Sequence, residues 1–193
     1  MDRARVEAAV RELLAGIGED PDRPGLVRTP QRVAEAYAEF FAGLDVDAAQ
    51  LAREGTVPAD DGERGALVVV RDIRFRSVCE HHMLPFLGVA HLAYAPGERL
   101  IGLGTLARVV DALASRPQLQ ERLGEQVVAA LQDGLEARGV LVVLDARHQC
   151  VTTRGERQDA STTVTVAATG SLAEAVGRAE AVALITAGSA ADA

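Results

Sequence analysis

Apolar residues recur at helical spacing in the first part of the chain. Over residues 3–17 they fall on one face of a predicted helix, and the members of that face are Val6, Val10, Leu13, Leu14 and Ile17. Residues 18–28 are rich in proline and glycine and are predicted to form a loop. Thr29 followed by Pro30 predicts the start of a second helix, because proline is favoured at the first helical position. This helix is expected to end near residue 42.

The period of the pattern changes at residue 66. Short segments rich in β-branched residues predict strands, and longer amphipathic segments predict helices. The predicted strands cover residues 66–77, 88–95, 140–146 and 161–168, and the predicted helices cover residues 105–115, 117–138 and 170–186. The core order is therefore strand, strand, helix, helix, strand, strand. Gly139 is expected to close the second of these helices.

A Gly- and Asp-rich connection at residues 54–65 separates the two patterns and is predicted to be a mobile surface segment. We therefore divide the chain into an N-terminal helical segment with its loop, residues 1–65, and a catalytic domain, residues 66–193. The length of 193 residues suits one domain with such a helical appendage.

Composition excludes several classes of function. Hydrophobic residues make up 48% of the chain, which is enough for a substantial core, yet no apolar run approaches the roughly 18 residues of a membrane span. A net charge of -8 and an aromatic content of 3% argue against nucleic-acid binding. The N-terminus lacks the apolar run of a secretory signal, so we expect a cytoplasmic protein without membrane or nucleic-acid partners.

The two cysteines of the chain each stand beside a histidine. The two clusters are residues 79–82 (CEHH) and 148–150 (HQC). Thiolate and imidazole are preferred zinc ligands, and three protein ligands with one open position form a catalytic zinc site. The spacing of Cys79 and His82 allows one turn of chain to close around a metal, and Cys150 would complete the set. His81 and His148 would then lie near the metal without being needed as ligands.

Two other interpretations of the cysteines stay open at this point. Cys79 and Cys150 could form a disulfide, although a reducing compartment makes that pairing unfavourable. They could also be buried, inert thiols, since free cysteine is among the most buried residue types.

The predicted elements place the remaining histidines. In an extended segment His148 and Cys150 would point to the same side, so that His148 overlooks the open coordination position. His81 is a candidate proton-transfer group, because the ordinary pKa of histidine is near neutral. His91 lies within a predicted strand and is expected to be structural.

Several motifs together resemble the GTP cyclohydrolase I family over residues 5–186. They are residues 79–86 (CEHHMLPF), 88–94 (GVAHLAY), 106–111 (LARVVD), 116–123 (RPQLQERL), 148–150 (HQC) and 154–155 (RG), together with residues 29–34 (TPQRVA) near the N-terminus. The resemblance implies an α+β tunnelling fold (T-fold), in which antiparallel β-strand pairs flank two helices, here with an N-terminal helical extension. It also implies a homodecamer with active sites at the subunit interfaces.

The implied reaction is the zinc-dependent hydrolytic opening of the guanine imidazole ring of GTP. Its products are 7,8-dihydroneopterin triphosphate and formate, which places the enzyme in pterin and tetrahydrofolate biosynthesis and in one-carbon metabolism. By this resemblance Cys79, His82 and Cys150 bind Zn2+, and His81 and His148 are the catalytic residues.

The resemblance also implies the substrate contacts. Glu121 would accept hydrogen bonds from the guanine edge, with Gln120 as a second guanine-side candidate. The cations expected at the triphosphate are Arg32, Arg108 and Arg154.

The chain departs from the family pattern at the phosphate end. Glu35, Gly104 and Thr105 stand where the family usually has Lys, Ser and Lys, and all twenty basic residues of the chain are arginine. The physiological nucleotide is therefore left open. One alternative is a T-fold zinc cyclohydrolase for another purine nucleotide, and a second is a non-catalytic relative that binds a pterin or nucleotide. The related nitrile reductase of queuosine biosynthesis is disfavoured, because its lysine-bearing signature cannot exist in a lysine-free chain.

Overall fold

The computed structural model describes residues 1–63 and 65–187. The helices are α1 (Arg3–Gly16), α2 (Thr29–Phe40), α3 (Ala48–Glu54), α4 (Leu103–Ala114), α5 (Gln120–Leu135), α6 (Gln149–Thr152) and α7 (Ala175–Thr186). The strands are β1 (Thr56–Pro58), β2 (Val68–Cys79), β3 (Pro85–Ala95), β4 (Arg99–Ile101), β5 (Pro117–Gln118), β6 (Gly139–His148) and β7 (Thr163–Gly170).

The described residues form two compact units, Met1–Ala42 and the chain from Gly43 onward. The first unit consists of the predicted helices, α1 and α2. Asp2 caps α1 by accepting a hydrogen bond from the backbone N–H of Arg5 at 3.1 Å, and Pro30 lies in the first turn of α2 as predicted. The domain boundary predicted between residues 65 and 66 stays a prediction, and α3 and β1 lie in the second unit.

The second unit contains a five-stranded sheet in the order β5-β2-β3-β6-β7. Its long strands are antiparallel neighbours, and only the two-residue β5 runs parallel to β2. Helix α4 packs on β2, and α5 packs on β6 and β7. The α+β class and the antiparallel strand pairs flanking two helices are thus confirmed. Among the described residues, no helix combines the length and the hydrophobicity needed to cross a membrane.

A β-bulge in β2 decides which face of the sheet carries Cys79. Val70 pairs with Leu92, but the next recorded pair is Ile73 with Ala90, so β2 has one residue more than β3 in this interval. Because side chains alternate between faces, the extra residue moves the core-facing positions from even to odd numbers. Cys79 therefore points to the face that packs against α4 and α5.

The same face receives the ends of two neighbouring strands. In β6 the even-numbered residues 140–146 face this core, and His148 continues their alternation. In β3 Phe86 is fully buried on this face and pairs with His148 in register. Three strand ends thus bring side chains to one edge of the helix-covered face.

Five short elements were absent from the sequence prediction. Strands β4 and β5 have three and two residues and helix α6 has four, which is too short for a periodic pattern. Helix α3 has seven residues and precedes the segment predicted as a mobile connection, whereas the three-residue β1 falls within that segment, of which Arg64 lies outside the described residues. The prediction that Gly139 closes α5 was wrong, because Glu136 ends the helix in the left-handed conformation (φ 53°) and Gly139 begins β6.

Candidate metal centre and active site

Cys79, His148 and Cys150 meet at the edge of the helix-covered face. Each offers one ligand atom, and these atoms all lie within 4.8 Å of one another. Cys79 is the last residue of β2 and is buried, His148 is the last residue of β6, and Cys150 lies in α6. Both thiols are free. Two thiols and one imidazole are a soft donor set of the type that holds zinc, so the chemistry of these residues fits a metal centre.

The observed group differs in one member from the predicted ligand set. His82 lies in the exposed turn that follows Cys79, with its Nε2 3.3 Å from the guanidinium of Arg154. His148, predicted to stand beside the metal, is the histidine that completes the group. The premise of an extended segment at 148–150 was wrong, because the strand ends at His148 and Cys150 belongs to one turn of helix. The assignment of the ligands stays a prediction.

The ring of His148 is held on two sides. It stacks on Phe86 with the ring centroids 4.5 Å apart and the planes 6° from parallel. Its Nε2 lies 2.7 Å from Oε1 of Gln120, the first residue of α5. A cross-strand stack and a hydrogen bond together fix the orientation of the imidazole.

The partners of Gln120 determine which nitrogen of His148 carries the proton. The Gln120 side chain is 1% exposed, and its Nε2 donates to the backbone oxygens of Leu144 at 3.0 Å and Thr163 at 2.8 Å. Since these acceptors identify the amide nitrogen, Oε1 is the acceptor that faces His148. His148 therefore donates through Nε2–H, and Nδ1 is the unprotonated nitrogen of its neutral ring.

Burial is the largest cause of the pKa shifts of His148 and Cys150. It lowers the pKa of His148, and the nearby carboxylate of Glu121 opposes this shift. Burial also raises the pKa of Cys150, and the adjacent Cys79 adds to that shift. Burial therefore favours the neutral forms of His148 and Cys150.

His81 and His82 lie on a tight turn between β2 and β3. The backbone N–H of Cys79 donates to the oxygen of Leu84 at 2.9 Å, and the N–H of Met83 donates to the oxygen of Cys79 at 2.9 Å. Met83 adopts a positive φ of 53°, which closes the turn. The two imidazoles are exposed, with centroids 6.3 Å apart and planes at 84°. The turn thus presents both histidines to solvent directly after the buried Cys79.

Glu121 lies in the first turn of α5, one residue after Gln120. Its side chain lines a groove of about 1140 Å³ between α5 and β7. Cys79, His148 and Cys150 do not line this groove. The candidate site is therefore defined by its chemistry rather than by this groove, and the predicted guanine-binding residue Glu121 is the member that also lines the groove.

The three predicted phosphate-binding arginines have different surroundings. Arg154 lies beside His82, as given above, whereas Arg108 lies on α4 and donates to the hydroxyl of Thr105 at 2.9 Å. Arg32 belongs to α2 in the N-terminal unit. The structure thus places Arg154 next to the turn that carries His82 and holds Arg108 on its own helix.

The departures from the family pattern also have distinct surroundings. Thr105 is 5% exposed and packs against Gly55, where a Cβ would lie 2.4 Å from its hydroxyl oxygen. Gly104 has open space around a Cβ, so a side chain would fit there. In the N-terminal unit Glu35 accepts a hydrogen bond from Gln31 at 2.9 Å. Thr105 is therefore part of the packing around Arg108.

Sequence reasoning missed three features of the site. It assigned no role to Phe86, to the hydrogen bond between Gln120 and His148, or to an ion pair between Glu80 and Arg122. Glu80 and Arg122 each stand inside a recognised motif, but nothing in the sequence indicates contacts between residues so far apart. The prediction that Gln120 meets guanine stays a prediction.

Comparison with known proteins gives a consistent result. Residues 6–186 match the family model of GTP cyclohydrolase I. The chain is 62% identical over 190 residues to GTP cyclohydrolase 1 of Leifsonia xyli subsp. xyli, with 98% of both proteins covered. It is 50% identical over 188 residues to GTP cyclohydrolase 1 of Thermobifida fusca, with 96% of this chain and 89% of the relative covered.

Among solved structures, the apo form of archaeosine synthase QueF-Like is similar, with a TM-score of 0.45 and 18% identity over 54% of this chain and 93% of that one. The family match and the full-length relatives, rather than this structural likeness, decide the assignment. The chain belongs to the GTP cyclohydrolase I family.

Proposed function

We propose that the protein is a GTP cyclohydrolase I, which opens the imidazole ring of GTP hydrolytically and releases formate and 7,8-dihydroneopterin triphosphate. The observation that carries this proposal is the meeting of Cys79, His148 and Cys150 at one edge of the sheet, in a chain that matches the family over residues 6–186. Neither a pure binding protein nor a structural zinc site needs both His81 and His148 beside that group.

Cys79 and Cys150 hold Zn2+ in this proposal, with His82 as the third protein ligand. When bound, the ion supplies Lewis-acid activation of water at neutral pH. His82 is taken as the third ligand from the family resemblance, and it stands on an exposed turn three residues after Cys79. His148, whose Nε2–H is donated to Gln120, keeps Nδ1 for proton transfer. The proposal keeps the expected cytoplasmic location, where a reducing compartment would keep the two thiols available as ligands.

His148 and His81 move protons during ring opening and the later rearrangement. His148 acts through Nδ1, because its Nε2–H is donated to Gln120. Gln120 therefore fixes the tautomer of His148 in addition to its predicted place near guanine. His81 lies on the exposed side of the turn, where it can exchange protons with solvent.

Glu121 selects guanine. A carboxylate only accepts hydrogen bonds, and the N1–H and 2-amino group of guanine are both donors. Adenine offers an unprotonated N1 at the same edge, so it would leave the carboxylate without that partner. Glu121 stands one residue from Gln120, which supports a guanine site close to His148.

Arg108 and Arg154 bind the triphosphate, with Arg32 as the third predicted cation. Without the usual lysines at positions 35 and 105, each remaining arginine carries a larger share of the binding. We expect Arg108→Gln to raise the KM for GTP about tenfold or more, since a charge-assisted hydrogen bond contributes about 1.5–3 kcal/mol and about 1.4 kcal/mol corresponds to a factor of ten.

Steady-state kinetics on GTP and guanosine test this expectation. Arg99→Gln is the matched control, because Arg99 also donates to a threonine hydroxyl, that of Thr56 at 2.6 Å. An equal rise of KM for guanosine in Arg108→Gln would show that Arg108 supports the fold of the site rather than the phosphates. A wild type that prefers GMP would favour the alternative of another purine nucleotide as substrate.

The protein assembles as a homo-oligomer, a decamer by family resemblance, in this proposal. Within the described part of the chain β7 pairs only with β6, so no further strand pairs with its outer edge. Val164 and Val166 on this strand are 59% and 48% exposed. An apolar edge strand of this kind favours pairing with another chain. Light scattering should then give ten times the chain mass of 20.3 kDa.

Incubation with GTP tests the proposed function. The purified, zinc-loaded protein is expected to produce a compound with pterin fluorescence after oxidation, and ATP should give none. Turnover of ATP or of a nucleoside monophosphate in preference to GTP would favour the other purine substrates, and tight binding of GTP without any product would favour the non-catalytic relative.

A further inference from the structure

Glu80 and Arg122 form a two-pronged ion pair beside the candidate site. The guanidinium nitrogens of Arg122 donate to the two carboxylate oxygens of Glu80 at 2.5 and 3.1 Å. The side chains are 33% and 44% exposed, respectively. Exposed pairs contribute little to folding, so stability gives no reason for this contact.

The pair joins the two segments that carry the proposed chemistry. Glu80 stands between Cys79 and His81 on the turn, and Arg122 follows Gln120 and Glu121 in the first turn of α5. Backbone bonds fix the base of the turn, since the N–H of Glu80 donates to the oxygen of Gln118 at 3.0 Å. In addition to this backbone bond, the two hydrogen bonds between Arg122 and Glu80 connect the side chains of the turn and α5.

We propose that Glu80 and Arg122 are a positioning pair, which sets the turn carrying His81 and His82 in register with the start of α5 carrying Glu121. A two-pronged fork restricts both the distance and the rotation between its partners, which a single contact would not do. The inference rests on the proposed function, because it assigns the pair to the geometry of that reaction.

Direct recognition of phosphate by Arg122 is a weaker explanation of the contact. Its guanidinium already faces the carboxylate of Glu80, so the positive charge is compensated within the chain. A phosphate would have to displace that carboxylate. Arg108 and Arg154 have no carboxylate among their recorded hydrogen-bond partners.

Neutral variants of the two residues test the pair. Glu80→Gln and Arg122→Gln should each lower kcat for GTP about tenfold, because small displacements of reacting groups are costly. The double variant should lose no more than either single one, since both substitutions break the same contact. The metal content and the thermal midpoint should match the wild type. Asp133→Asn, which breaks the exposed pair of Asp133 with Arg53, is the control on the same helix.

Hydrogen exchange gives a second readout that does not depend on turnover. The backbone amides of Glu80 and Met83 should exchange about tenfold faster in both single variants, because the turn opens more often without its contact to α5. The same amides should be unchanged in Asp133→Asn. The charge-swapped protein, with Glu80→Arg and Arg122→Glu, should recover slow exchange and part of the lost kcat.

Two results would overturn the inference. If Arg122→Gln loses activity while Glu80→Gln keeps it, with unchanged exchange in both, then Arg122 meets the substrate itself. If the losses of the single variants multiply in the double variant, the residues act separately. A third result would contradict the proposed function alone. In that case the wild type does not convert GTP, but the amides of the turn still exchange faster in Glu80→Gln and Arg122→Gln, so the contact still holds the turn.

Discussion

Cys150→Ser is expected to abolish both metal binding and formate production. The wild-type chain should carry about one zinc ion per subunit, held by three protein ligands. Serine keeps the size of the side chain but supplies a hydroxyl, which is a poor zinc ligand at neutral pH. Because Cys150 and Cys79 are the thiols of the observed group, loss of one leaves too few soft donors to retain the ion.

Elemental analysis of the purified variant checks this result. Val151→Ala is the control, because Val151 is the exposed neighbour of Cys150 on α6 and offers no ligand atom. The control should keep its metal and its activity. A Cys150→Ser protein with a full complement of zinc would remove Cys150 from the ligand set.

His148→Ala is expected to retain zinc and to lose activity by a factor of about 10²–10⁴, the usual contribution of a positioned acid or base. The reason is that the family resemblance gives the third ligand position to His82, whereas Gln120 and Phe86 hold the ring of His148 beside the two thiols and leave its Nδ1 for proton transfer. His82→Ala should show the opposite pattern, with loss of the metal. The pair of variants therefore separates a proton-transfer role from a ligand role.

Metal content and turnover, both measured on His148→Ala and His82→Ala, decide which histidine is the ligand and which transfers protons. His91→Ala is the comparison outside the group, because the ring of His91 accepts a hydrogen bond from the backbone N–H of Asp72 at 3.3 Å. That variant should lose stability but keep its chemistry per folded molecule. Metal loss in His148→Ala with retention in His82→Ala would make His148 the third ligand.

The long elements and the order of the fold could be predicted from periodicity. Helix α1 and strands β3 and β6 begin and end within a few residues of their predicted bounds, because each is long and has a clear hydrophobic pattern. The bulge in β2 could not be predicted, since Asp72 at positive φ is a local backbone event without a periodic signal. That bulge sets the face on which Cys79 lies.

The side chains of the site were predictable by type but not by contact. The pairing of cysteine with histidine indicated a metal group, and Cys79 and Cys150 do meet. The surroundings that distinguish His82 from His148 as the third ligand come from one turn, from helix α6 and from the amide of Gln120. Gln120 lies in a different segment of the chain. Such long-range contacts are set by the tertiary fold, and spacing along the chain does not contain them.

The most direct measurement follows the carbon that the proposed reaction removes. The zinc-loaded protein is incubated with GTP labelled with ¹³C at C8 of guanine, and the labelled formate is quantified against the dihydroneopterin triphosphate. The account predicts equal amounts of the two products, all the label in formate, and neither product from Cys150→Ser. Retention of the label in the nucleotide product, or equal turnover by Cys150→Ser, would contradict the assignment of the Cys and His residues as the centre of a GTP cyclohydrolase.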